Sequence, residues 1–275
     1  MPLDTPRHQR AHGRAELGFR QTPRGTALGH LFHAAPYRIL FPVPEPDDLP
    51  SAALVNVGGG LAGGDSLSLE VTLEAGARAQ VTTPAAEKIY RSLGEPSRID
   101  SRLSLAPGAT LEWLPQETIL FDGARLERRM RVGMAADARL LATELLVLGR
   151  AARGEAFDHG ALLDSWRLRR GGRLDWADAL ELSGDLAARR AAPFGLGGAN
   201  AMGLLLFAAP VAEALAARDL CRELGLDATL ARPGLLLARW LGEASAVRDD
   251  LARVLPPFRA ALLGLPARLP RLWTS

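Results

Sequence analysis

The chain has 275 residues, 48% hydrophobic and 23% charged, which excludes a disordered protein and leaves ample length for a large core. Its net charge is +2, and residues 1–25 contribute +3 through Arg7, Arg10, Arg14, Arg20 and Arg24 against Asp4 and Glu16, leaving the other 250 residues at −1. A nucleic-acid reader needs a basic stripe on its folded body, so a near-neutral body argues against one.

In chain order, residues 1–25 read as a flexible basic arm and residues 26–275 as a single β-rich domain. From residue 28 to residue 184 the sequence is strand-like. In Ser66-Leu67-Ser68-Leu69-Glu70-Val71-Thr72-Leu73 polar and apolar residues alternate, the period of a strand buried on one face. A loose repeat runs through this region, with turn residues at Gly76, Gly108, Asp137 and Gly172, spaced 32, 29 and 35 residues apart. Each unit reads as strand, tight turn, strand, the chemistry of a hairpin. Near-regular spacing of such units implies that each buries its face against the next.

Past residue 184 the pattern changes. A strand is expected over residues 204–207, and a helix over 211–224, ended by Gly225. Short strands follow at 228–232 and 235–240. A second helix starts near Ala244, puts Val247, Leu251 and Val254 on one face, and stops at Pro256 and Pro257. The fold class is therefore mainly β, a stacked β-hairpin or β-helix-like architecture with about two α-helices in the C-terminal third. The apolar content of these helices places an exposed docking patch there.

Cys221 is the only cysteine, so no intrachain disulfide can form, which suits a reducing compartment. No secretory h-region is visible, and the most apolar run, residues 203–217, is interrupted by Pro210 and Glu213. A cytoplasmic protein with no membrane span is expected.

The loudest local motif is Asn56-Val-Gly-Gly-Gly-Leu-Ala-Gly-Gly-Asp65. Gly58, Gly60 and Gly63 satisfy the spacing of a dinucleotide loop, which would make the chain a dinucleotide-linked enzyme. That reading needs a helix to follow, so that its N-terminus can hold a pyrophosphate. A strand follows instead, and no Lys-Ser/Thr pair makes a P-loop. Two readings of the loop remain: a backbone turn that needs glycine, or a mount presenting Asp65 to a partner or an internal passage.

His8 and His12 stand four apart without a third ligand, and His30, His33 and His159 have no partner at metal spacing. No G-x-S-x-G elbow is present. Glu144, in an apolar run dense enough to be buried on both faces, is costly unless paired or facing water. Arg150 and Arg153 are the expected local partners of that carboxylate. Glu155 lies just beyond, and Lys88 is the only lysine among 33 basic residues.

Four ordered blocks carry a resemblance: VNVGGGLAGGDSLSLEV; AQVTTPAAEKIYRS with Gln80, Thr83 and Lys88; LEWLPQETILFDGARL with Glu112 and Gln116; and LLATELLVLGRAARGEAFDHG with Glu144, Arg150 and Glu155. Together they resemble the UreD (UreH) family of urease accessory proteins, strongly over residues 37–185 and more loosely beyond. The resemblance implies a helix-poor, β-helix-like fold and no catalytic role. It implies a complex with UreF-type and UreG-type (GTPase) proteins on urease apoprotein, with nickel in transit and no stably bound cofactor. Scattered carboxylates suit transient nickel better than a Cys/His cage. Asp65, Lys88, Glu144, Arg150 and Glu155 are the candidate passage or interface residues. A plain structural β-repeat binding module is the remaining alternative.

Overall fold

The computed structural model describes residues 10–274; His8 and the start of the expected arm lie outside the described residues. The chain begins with β1 (His12–Thr22), β2 (Gly25–Ala34), β3 (Tyr37–Leu40) and β4 (Ser51–Asn56). Three successive coils follow: β5 (Ser66–Leu73), β6 (Arg78–Thr82) and β7 (Glu87–Ile89); β8 (Ser97–Leu105), β9 (Thr110–Leu114) and β10 (Thr118–Leu120); then β11 (Arg125–Met134), β12 (Arg139–Arg150) and β13 (Glu155–Ala156). After them come β14 (Ala161–Arg170), β15 (Arg173–Leu182), α1 (Leu186–Ala191), β16 (Ala201–Ala208), α2 (Val211–Glu223), β17 (Ala228–Arg232), β18 (Leu235–Gly242) and α3 (Ala244–Leu263).

The strands form two facing sheets. One has the order β15-β14-β11-β8-β5-β1-β2; the main path of the other is β17-β18-β16-β12-β9-β6-β4-β3. Within them β1-β5-β8-β11-β14 and β4-β6-β9-β12 are parallel, the stacking of a β-solenoid.

The repeat spacing is the coil length. Ser66 pairs with Arg98 and Arg78 with Thr110, both offset by 32; Ser97 pairs with Leu126 and Thr110 with Arg139, both offset by 29. These offsets equal the separations of Gly76, Gly108 and Asp137. The turns themselves are a correction. Those at Gly76, Gly108 and Asp137 carry the chain from one sheet to the other, and only Gly172 closes a hairpin, β14–β15. A tight turn joins two strands equally well whether they pair edge to edge or face each other across a core. The β-rich stacked class stands; the hairpin as its unit does not.

The expected flexible arm is also corrected. Residues 12–22 are a central strand held between β2 and β5, with Ala15, Leu17 and Phe19 buried in the core. Arg14 and Arg20 occupy the opposite, solvent face, so the charge of this segment obscured its alternation.

Burial explains the composition of each layer. The first sheet buries one face, so β5 and β8 alternate strictly. The second sheet is covered on both faces, by the first sheet and by α2 and α3, which is why β12 and β16 are largely apolar and every residue of β9 is buried. Helix α2 turns Ala214, Ala217 and Cys221 inward, and Gly225 follows it with φ +67°, as expected of its C-terminal cap. Helix α3 does not stop at Pro256 and Pro257; it runs to Leu263. Burial of Phe258 and Leu263 on the far side of the prolines outweighs the two backbone hydrogen bonds they forfeit.

Arg259 ties α3 to the solenoid. Its side chain and that of Glu112 are wholly buried, with Nε to Oε1 at 2.8 Å. Gln80 Nε2 donates to the other Glu112 oxygen at 2.7 Å, and Asp48 accepts a further bond from Arg259.

The glycine loop is packed against backbone. A Cβ on Gly60 would lie 2.7 Å from the Lys88 carbonyl oxygen; one on Gly63 would lie 2.2 Å from Ser92 Oγ and 2.6 Å from the Glu95 carbonyl oxygen. Between them Leu61 bridges to Ile89 and is fully buried. The loop leads into β5 rather than a helix, so the required dinucleotide geometry is absent. Gly63→Ala is expected to lower the unfolding free energy by about 1–3 kcal/mol, the cost of overpacking. A denaturant midpoint equal to the wild type's would show that the loop yields freely.

Candidate functional site: a carboxylate-lined cavity between the sheets

Inward positions of a solenoid strand are normally apolar, and two neighbouring strands break that rule. In β11, Arg128 replaces the apolar residue expected between Leu126 and Met130; in β14, Asp164 does so between Leu162 and Trp166. Parallel register sets the two side by side. Arg128 grips Asp164 with two bonds, Nε to Oδ1 at 2.9 Å and Nη2 to Oδ2 at 2.7 Å. From the facing sheet, Glu144 approaches the same guanidinium at 2.9 Å and accepts from Trp166 Nε1 at 2.9 Å. Arg128 Nη1 donates to Thr118 Oγ1 at 3.0 Å.

One guanidinium cannot neutralise two buried carboxylates. Burial raises the Glu144 carboxyl to about 8, against the pull of Arg128 and with a further push from Asp164. Burial also acts on Asp164, but Arg128 outweighs it and holds that carboxyl below its ordinary range. Near neutral pH the proton therefore stays on Glu144, and the cluster as a whole is uncharged.

Glu144, Arg128 and Thr118 line a cavity of about 80 Å³ together with Asn56, Glu87 and Gln116. That is enough for several water molecules at roughly 15 Å³ each. Leu54, Ile99, Trp113 and Met130 form its apolar walls. Glu87 is held by Asn56 Nδ2 at 2.9 Å, and burial raises its carboxyl to about 7. Tyr37, buried beside it, is pushed above the usual phenol range by burial and then by the Glu87 charge.

Of the residues singled out from sequence, Glu144 lines this cavity; Asp65, Lys88, Arg150 and Glu155 do not. Asp65 accepts from the backbone amides of Ala11 and Ala62, both at 2.8 Å, and so clamps the glycine loop to the chain entering β1. Lys88 is exposed, and its carbonyl accepts from Leu61 at 2.8 Å. Arg150 pairs with Glu155, Nε to Oε1 at 3.0 Å, and lies 3.9 Å over the Phe121 ring. That pair holds the Glu155 carboxyl below its ordinary range.

The expected partnership of Glu144 with Arg150 is thus corrected to Arg128. Six residues along a strand span about 20 Å, beyond any side chain's reach. Sequence reasoning missed Arg128 and Asp164, although a charge at an inward position in two strands one coil apart was a readable signal. Glu87 offered none, since a three-residue strand has no measurable period. Among the described residues no three His, Cys, Asp or Glu side chains gather as a metal-holding cluster. No helix there is long and apolar enough to cross a membrane.

The comparison with known sequences agrees with this architecture. The family model described as UreD urease accessory protein matches residues 11–274, nearly the whole chain, including the first strand and the helical third. The fold and match together define a urease accessory protein, with a role in urease maturation.

The chain belongs to the UreD family. It is 52% identical over 242 residues to the urease accessory protein UreD of Granulibacter bethesdensis, covering 86% of this chain and all of that one. It is 46% identical over 280 residues to the UreD of Methylobacterium sp. (strain 4-46), covering 98% and 97% of the two chains. It is 43% identical over 272 residues to that of Azorhizobium caulinodans, covering 98% of each.

Proposed function

We propose that this chain is a non-catalytic cytoplasmic scaffold and conduit for GTP-dependent nickel insertion into urease. It would act in complex with UreF-type and UreG-type partners on the urease apoprotein. The observation that carries this reading is the cavity between the sheets, where Glu87 and Glu144 face one polar space inside otherwise apolar walls. An entering divalent nickel ion would displace the proton of Glu144, and the carboxylate and amide oxygens are then hard donors that hold the ion weakly, which suits an ion that must move on. The Arg128–Asp164 pair keeps the surrounding charge balanced, so the space is polar without being a deep trap.

The test replaces both carboxylates by amides that keep shape and hydrogen bonding. Glu87→Gln/Glu144→Gln protein is expected to enter the complex normally. Nickel per urease active site should fall roughly tenfold, corresponding to about 1.4 kcal/mol of lost attraction. Complex recovery and nickel content are measured on the same preparations. Normal loading in an intact complex would remove the cavity from the nickel path; a lost complex would favour a purely structural cluster.

A further inference from the structure

The second sheet is covered by α2 and α3, whereas the first keeps its outer face open. The outward residues of β8, β11 and β14 are half-buried or exposed. They include seven arginines, two on β8, three on β11 and two on β14, against only two carboxylates, Asp100 and Glu127. A net charge near zero thus conceals a strongly basic face on the folded body. The apolar docking patch expected from sequence on the C-terminal helices is slight by comparison: α2 exposes Val211 and Leu215, while α3 buries its apolar face.

Parallel register lines up three of these arginines. Arg102 on β8 pairs with Arg131 on β11, and Arg131 with Arg167 on β14, so three guanidiniums stand in one row on strands about 4.8 Å apart. Like charges at directly neighbouring positions repel. Little within the chain offsets that repulsion. Arg102 approaches Glu70 only to 3.5 Å and Arg131 approaches Asp100 to 3.3 Å, with all four side chains well exposed. The Arg167 side chain makes no hydrogen bond or ion pair among the described residues. Beside the row, Gly133 lies between Ser104 and Arg169 with open space where a side chain would be, so a partner can approach closely.

We propose that this row is a docking site for an acidic α-helix of a partner protein, lying across the strands with carboxylates of successive turns on Arg102, Arg131 and Arg167. The charge of the face fixes the sign of the partner. Spacing then favours a helix: residues three or four apart on one side of it have Cβ atoms about 5–6 Å apart, close to the strand separation. The forked guanidinium also suits a carboxylate, which it grips through two parallel bonds. A nucleic-acid duplex fits less well, because it carries a charge about every 1.7 Å along its axis. Asp100 beside the row and Glu127 beyond it would repel that continuous charge, whereas a helix can place a neutral or basic residue opposite each.

The test measures binding of the full chain to a labelled helical peptide of alanine and glutamine with Glu at every fourth position, by fluorescence anisotropy at low salt. Arg102→Gln/Arg131→Gln/Arg167→Gln should weaken binding at least about tenfold. Arg24→Gln/Arg153→Gln/Arg189→Gln removes the same charge from exposed arginines off the row and should bind as the wild type does. The reversed row, Arg102→Glu/Arg131→Glu/Arg167→Glu, should instead take a peptide with Lys in place of Glu, which a merely misfolded chain would not do. Equal binding by the wild type and the row variant, or an equal loss in the off-row variant, would overturn the proposal. So would a reversed row that ignores the lysine peptide, or tighter binding of the wild type to a DNA duplex of the same total charge.

Discussion

Arg259→Met is expected to lower the unfolding free energy by on the order of 3–5 kcal/mol, the cost of stranding buried charge after one partner is removed. The side chain it deletes is wholly buried against Glu112 and also bonds Asp48, so Glu112 would remain in the interior without its cation and Asp48 would keep only the more distant Arg268 at 3.8 Å. Methionine keeps much of the volume, which confines the effect to charge and hydrogen bonding. Adding Glu112→Leu to the same chain should recover much of the loss, because a buried pair replaced as a pair by apolar residues is often neutral. Gln80 would then lose one bond and keep its contact with Ser51. Urea unfolding of wild type, single and double variants measures all three. A single variant as stable as the wild type would mean that α3 is held by its apolar face alone.

Stability is expected to fall as pH rises from about 5 to 8, as buried Glu144 and Glu87 both lose their protons, and the share of Glu87 can be tested by itself. Burial raises its carboxyl from an ordinary 4.5 to about 7, so in this interval the folded chain holds a proton that the unfolded chain has released. A group with a raised folded value contributes fully below its unfolded value, and that contribution is lost as pH climbs through the folded one. Near 1.4 kcal/mol per pH unit, the loss is on the order of 3 kcal/mol. Glu144 acts in the same direction, with Arg128 holding part of its charge, while the depressed Asp164 acts only at acid pH. Glu87→Gln should flatten the profile and be the more stable protein at pH 8. Superimposable profiles for wild type and Glu87→Gln, measured by denaturant midpoint at each pH, would count against a buried Glu87.

The two predictions draw on residues of unequal legibility. The alternation in residues 66–73, the helical spacing after Val211 and the cap at Gly225 are local patterns that neighbours in sequence impose on one another, and each appears where sequence placed it. The 32- and 29-residue spacings also carried the coil length, because parallel stacking keeps equivalent turns in register from one coil to the next. Whether a turn folds a strand back beside its neighbour or across to the facing sheet is decided by which surface buries more apolar area, and turn residues are the same in both cases. The prolines of α3 follow the same rule: locally they end a helix, but packing on the second sheet carries it through. The cavity lies furthest from sequence. Arg128, Glu144 and Asp164 meet because strands one coil apart lie side by side and the two sheets face each other, and Glu87 joins them from a strand too short to show a period. Local chemistry determined the strands, their facing and the coil length of this protein; long-range burial alone decided which charges share its interior.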